Sequence, residues 1–220
     1  MSPVVPRPAV SVIPLRDGPD GLEAFVQHRA TTMDFAAGVV VFPGGRCDPA
    51  DETKGAQLPL PESLVVEHVR RWSDLGRQEV PDAAAAARTR IATGLRELAE
   101  ETGHVAAPVD LHPWDCWVTP EGAPKRFDVA FFVLPVERTG PQPQHLTSEA
   151  VDSRWEGVGS LLDDALAGRL RLMTPTRVLL EELRALGTLE RVLALQPVIT
   201  GVRDDRAGAR PRRRQVTRPV

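Results

Sequence analysis

At 220 residues the chain can bury one sizeable core, and its 42% apolar and 26% charged residues place it among ordinary globular proteins rather than disordered or fibrous ones. A formal net charge of −3 offers no ground for a nucleic-acid partner, although the charge is uneven: Arg203 to Val220 holds seven Arg and two Asp, so this tail is +5 and the remainder −8. The start, MSPVVPRPAV, has no apolar stretch behind a positive flank, and no apolar run nears the ~20 residues that cross a bilayer, so neither a secretory signal nor a membrane partner is expected. Cys47 and Cys116 stand far apart without metal-ligand spacing, which points to a reduced, cytoplasmic setting and to Cys47 as a packed small residue.

In chain order, Val10 to Leu15 and Leu22 to His28 are short apolar runs separated by RDGPDG, which predicts a hairpin. Gly38 to Phe42 then reads as a buried strand that halts at Pro43-Gly44-Gly45. Residues 46–82 are polar and proline-bearing and read as an insertion, with one short helix at Glu62 to Trp72. Asp82 is placed to cap a helix running to Thr102, with Gly103 as its left-handed terminator. Arg126 to Val136 predicts a central strand, PQPQHLTSE a loop, Leu161 to Leu166 an amphipathic segment, and Pro175 to Leu186 a final helix. Residues 1–200 thus form a single domain, and 201–220, rich in Arg, Gly and Pro, a basic tail expected to be disordered.

The helix ending at Thr102 carries the chemistry. Ala87, Ile91, Leu95 and Leu98 recur at intervals of three and four and form a stripe that faces a core. Glu97, Glu100 and Glu101 fall within one turn, on an adjoining sector about 100° wide. Like charges so spaced cost roughly 0.2–0.5 kcal/mol a pair on an isolated helix, and a divalent cation would relieve them. Mg²⁺ prefers carboxylate and phosphate oxygens, and Arg96, four residues before Glu100, is placed to steady the cluster. A bare ExxEE is ordinarily a solvated acidic face. Its company here, FPGG at the end of a strand, Arg96 and Gly103, is what gives it weight.

Together these residues resemble the signature of the Nudix hydrolases. The second half of that signature reads Arg96-Glu97-Leu98-Ala99-Glu100-Glu101-Thr102-Gly103, departing only at the last position, where His104 replaces an aliphatic residue. The first half begins at Gly45, its acidic position falls on Asp51, and Arg96 comes 45 residues later instead of eight, so 37 residues interrupt the box. That interruption, with GGRCDPAD, RFDVAFF and LMTPTRVLLEEL, is similar to the subgroup that includes the peroxisomal coenzyme A diphosphatases. An upstream pattern associated with coenzyme A fits in Phe25, Val26, Arg29 and Gly38 but departs at Gln27, Ala30 and Asp34.

The resemblance implies an α/β fold of α+β type, the Nudix fold, in which a mixed sheet is sandwiched between helices as α/β/α. It implies Mg²⁺ or Mn²⁺ held by Glu97, Glu100, Glu101 and the Gly44 carbonyl, with Arg96 steadying the ligands. A water is activated by a helix carboxylate or by a loop carboxylate, for which Glu149 is preferred over Glu156 and Glu121. Arg29 and Gly45 are the candidate substrate contacts. The Gly44-Gly45 pair is expected to let the backbone approach metal and phosphate. The implied reaction is cleavage of a diphosphate linkage in a nucleotide-derived metabolite, coenzyme A or acyl-coenzyme A first. ADP-ribose, nucleotide sugars and dinucleotides come next, and a non-catalytic nucleotide-binding module or an RNA-processing role aided by the Arg tail are the competing classes; a homodimer is a compatible assembly. His28, His104 and His145 lack zinc spacing, and Trp114 and Trp117 fit either adenine stacking or core packing.

Overall fold

The computed structural model describes residues 4–29, 38–72 and 83–199 and the backbone of 202–203. The expectations for Asp34, for Asp82 as a cap and for the tail beyond Arg203 lie outside these residues, while Val202–Arg203, expected to belong to a disordered tail, form a short strand because they pair with the sheet. The predicted hairpin is β1 (Arg7–Gly18) and β2 (Gly21–Arg29), in register from Leu15 opposite Ala24 to Gly18 opposite Gly21. β1 also runs parallel to the predicted central strand, β6 (Phe127–Pro135), over its whole length. Such a strand has neighbours on both sides and apolar cover on both faces, which accounts for the unbroken VIPL and AFFVL runs.

Around this centre, eight strands form one mixed sheet among the described residues. β5 (His112–Val118) lies antiparallel to β6 and parallel to β8 (Val202–Arg203), while β7 (Ala150–Gly157) and β3 (Val40–Val41) both pair with β2. The strand expected over Gly38 to Phe42 is therefore only two residues long. The chain instead turns at Pro43 and returns as β4 (Gly44–Arg46), which pairs with β1 from Ser11 opposite Gly44 to Ala9 opposite Arg46.

Helices cover both faces of the sheet. On one face lie α1 (Pro49–Gln57), α2 (Glu62–Trp72) and α3 (Ala83–Thr102), whose Trp72, Ile91 and Leu98 join Val10, Val12, Phe132 and Leu134 in one core. On the other lie α4 (Val158–Leu166), α5 (Thr174–Leu186) and α6 (Leu189–Ala194), which bury Leu161, Leu179, Leu183 and Val192 against Ile13, Leu15 and Val26. Helix α1 is an addition to the expected elements. It carries no apolar periodicity, and its register comes from Pro49 in the first turn and from the Asp48 N–H donating to the Asp51 carboxylate at 2.9 Å. Helix α3 stops as predicted, at Gly103 with φ of 68° and its N–H donating to the Ala99 carbonyl. No helix among the described residues is long and apolar enough to cross a membrane.

Candidate active site

Where α3 ends, three elements meet: the turn into β4, the outer end of β2 and the loop between β6 and β7. The Glu101 side chain, 7% exposed, reaches the turn and the strand together. Its Oε2 accepts from the Gly44 N–H at 2.9 Å and from the Gln27 amide at 3.2 Å. Burial pushes the Glu101 carboxyl up to about 7 against the pull of the Gly44 N–H; the charges on Glu97 and Glu149 add to the rise and Gln27 opposes it.

The two glycines of the turn have separate jobs within the protein. A Cβ on Gly44 would fall 2.3 Å from the Val10 carbonyl oxygen, so its absence lets β4 lie against β1. A Cβ on Gly45 would fall 2.1 Å from Glu97 Oε1, so its absence makes room for that carboxylate. Close approach of backbone to protein, and not only to a ligand, explains the pair.

Arg96 organises the second half of the site. Its Nε and one terminal nitrogen make a two-pronged contact with Asp51, both prongs at 2.8 Å. The other terminal nitrogen donates to Glu97 at 2.9 Å and to Glu100 at 3.0 Å. Asp51 is wholly buried and also accepts from the Thr93 hydroxyl at 3.1 Å. Burial alone would raise the Asp51 carboxyl, but Arg96, the Asp48 N–H and Thr93 outweigh it and hold it below the usual range. Asp51 in return leads the interactions that raise Arg96, whereas burial raises Glu97 against the opposing charge of Arg96. The acid-arginine pair of the signature is thus closed in space although 45 residues separate it in the chain. Cys47, in the same turn, is half-buried and its thiol is raised by burial.

Among the described residues, no three His, Cys, Asp or Glu side chains already converge tightly enough to hold a metal ion. The donor chemistry nevertheless fits a hard divalent cation. Glu97 gives Oε1 to Arg96, Glu100 gives Oε2 to Arg96, and Glu101 gives Oε2 to Gly44 and Gln27. One oxygen on each of the three carboxylates accepts no hydrogen bond among the described residues, which leaves three anionic oxygens within one helical turn.

Of the loop candidates, Glu149 belongs to this assembly. The loop docks on the end of α3 through the Gln144 and Leu146 N–H groups, which donate to the Thr102 and Glu101 carbonyls. Glu149 then pairs with Arg29 at 3.3 Å. Glu156 does not belong: it follows Trp155 in β7, so alternation turns it to the opposite face, where it holds His28 at 2.5 Å. Glu121 is exposed in the turn between β5 and β6. His145 bonds Ser153 at 2.9 Å, the half-buried His104 is pushed down by burial, and Trp114 and Trp117 are buried in the core. Gln27 was not expected to matter to the helix carboxylates. The available signal was an amide inside an apolar strand.

No family model matches the chain. A protein from Caenorhabditis elegans named Putative nudix hydrolase 7 is 27% identical over 154 residues, 67% of this chain and 50% of that protein, so the chain spans half the length of this relative. The crystal structure of a NUDIX hydrolase from Alicyclobacillus acidocaldarius superposes with a TM-score of 0.66 at 24% identity, covering 89% of this chain and 98% of that one. The chain has the Nudix fold. Its mixed sheet between two helical layers is therefore the α/β/α arrangement expected.

Proposed function

We propose that this chain is a Nudix hydrolase that uses Mg²⁺ or Mn²⁺ to cleave a diphosphate linkage in a nucleotide-derived metabolite. The observation that carries the reading is the set of three carboxylate oxygens, on Glu97, Glu100 and Glu101, that accept no hydrogen bond among the described residues, beside a turn in which Gly45 leaves room for Glu97. These residues, with the Gly44 carbonyl, would hold the cation. When bound, it supplies charge neutralisation at the phosphoryl oxygens and a polarised water.

The protein's own groups do the positioning. Arg96 holds Glu97 and Glu100 by one nitrogen while Asp51 anchors the guanidinium from behind, so the two carboxylates move as a unit. Arg29 binds a substrate phosphate: its side chain is 16% exposed, and among the described residues Glu149 is its one ion-pair partner and its buried Nε has no hydrogen-bond acceptor. Glu149 accepts the proton of the attacking water, since Arg29 engages only its Oε2 and leaves the other oxygen available. Coenzyme A and its acyl derivatives are the first substrates proposed, on the partial upstream pattern around Arg29, with ADP-ribose and nucleotide sugars next.

The test is product release from coenzyme A, acyl-coenzyme A, ADP-ribose, NADH and nucleotide sugars with Mg²⁺ or Mn²⁺, read by chromatography and mass. Coenzyme A cleavage should yield 3′,5′-ADP and phosphopantetheine. Glu100→Gln should lower kcat/KM by roughly 10²–10³-fold, the scale of removing one oriented charge-stabilising group. Undiminished turnover in that variant removes the mechanism, and tight nucleotide binding without product under any divalent cation points to a binding module.

A further inference from the structure

Along one face of β2 the side chains pass from core to site: Phe25, 2% exposed, then Gln27, also 2% exposed, then Arg29 at the rim. Position 27 is as buried as the apolar residues around it. An amide there costs free energy unless both its surroundings and its partner are polar, and the alternation of the strand would accept an aliphatic side chain. The Gln27 amide finds its partner 74 residues away, donating from Nε2 to Glu101 Oε2 at 3.2 Å. Only the NH₂ end of an amide can face a carboxylate in this way. The strand itself is held on both edges at that point, with Val41 and Ser153 as the cross-strand neighbours of Gln27.

We propose that Gln27 is a positioning residue that orients the Glu101 carboxylate toward a divalent cation. This rests on the cation reading above. Glu101 Oε2 is pinned from two directions, by the Gly44 N–H of the turn and by Gln27 of the sheet. One hydrogen bond would let the carboxylate pivot about it. The second fixes the rotation, so that Oε1, without a donor among the described residues, keeps one direction on the side of the helix that carries Glu97 and Glu100. Partners that orient metal-binding carboxylates in this way typically change metal affinity by ~10–100-fold when lost.

The experiment is calorimetric titration of Mn²⁺ into the full chain, free of substrate, for wild type, Glu101→Gln, Gln27→Met and Ser153→Ala, with thermal melts of each. Met keeps the volume and loses the donor; where it fails to fold, Gln27→Asn keeps an amide but withdraws it by one methylene. Ser153, 7% exposed and bonded to His145, is the control for damage to the same strands. The expected result is an Mn²⁺ Kd raised roughly tenfold in Gln27→Met, with no change in Ser153→Ala. Turnover of Gln27→Met should recover at saturating Mn²⁺, which a merely structural lesion would not allow. A wild-type Kd in Gln27→Met beside a weakened Glu101→Gln overturns the role of Gln27 and leaves the cation reading standing. An equal loss in Ser153→Ala, or no loss in Glu101→Gln, also overturns it. If the wild type itself binds no Mn²⁺, it is the cation reading that fails.

Discussion

The two faces of the sheet solve the burial problem differently. Under α4, α5 and α6 the core is mostly apolar, with Ile13, Leu15, Val26, Leu161, Leu179 and Leu183 shielded from solvent beside Phe42, Trp114, Trp117 and Phe131, and with Thr176 and Glu182 of α5 as its buried polar residues. Under α1, α2 and α3 the apolar cluster around Ile91, Leu98 and Phe132 is shared with buried Asp51, His68, Arg71 and Thr93, and Gln27 and Glu101 lie beside it. Polar groups out of water are costly unless bonded, and most of these have found specific partners: Arg96 for Asp51, Glu101 for Gln27, and Glu67 with the Pro113 carbonyl for Arg71. The apolar face supplies cohesion that any close-packed set of similar shapes could supply. The charged face gives up some of that freedom to hold carboxylates at fixed places.

If the division is real, damage to the two faces should separate. Leu179→Ala should cost about 2–5 kcal/mol in urea unfolding, through lost burial and an unfilled cavity, with the Mn²⁺ Kd unchanged. A Kd that rises as stability falls would mean that the faces are coupled.

The charged face should also be the pH-sensitive one. Burial holds His68 down to about 4 from its ordinary 6.5, Glu67 opposing this and Arg71 and His112 adding to it. On acidification the unfolded chain takes up this proton first. The contribution of this group is therefore complete above pH 6.5 and declines as pH falls toward 4, by about 3 kcal/mol; His112, also lowered by burial, adds to the decline, and Glu101, raised to about 7, opposes it as pH falls below 7. Unfolding free energies of wild type and His68→Leu between pH 4 and 7 isolate it: the variant should gain stability relative to wild type as pH falls, and an unaltered slope would assign the effect elsewhere.

The smallest effect expected is Asp51→Asn. It keeps the shape but sets an amide NH₂ against one prong of the Arg96 guanidinium, costing about 1–3 kcal/mol. It should also lower turnover, because Arg96 would no longer be anchored behind Glu97 and Glu100. Loss of stability without loss of turnover would make the Asp51 pair a staple for α1 alone.

Much of this was legible beforehand. The apolar runs of β1, β2 and β6 and the periodicity of α3 are signals that one segment carries by itself, and Gly103 marked its helix end because a positive φ is a local demand. Arg96, Glu97, Glu100 and Glu101 stood out through their spacing taken together with FPGG and Gly103, the company that carries the resemblance. Helix α1 was not, since PADETKGAQ has no apolar stripe and is held through Asp51 to a partner far along the chain. Nor was β4: Gly44-Gly45-Arg46 has no strand character of its own, and it becomes a strand because the missing Cβ of Gly44 lets it reach β1.

The sequence by itself determined which side chains bring negative charge to one helical turn, and which segments alternate or repeat as strand or helix, because these depend on spacings of a few residues. Tertiary structure alone decided which oxygen of Glu101 is engaged, that Asp51 meets Arg96 across the intervening chain, that Glu149 pairs with Arg29 while Glu156 holds His28 on the opposite face, and that Gln27 reaches Glu101. Those outcomes depend on the register of β2 against β7, on the turn at Gly44 and on the docking of a loop upon α3. They are contacts between segments 45 or more residues apart. No local pattern encodes such distances, because burial and hydrogen bonding act on whatever the completed fold brings together.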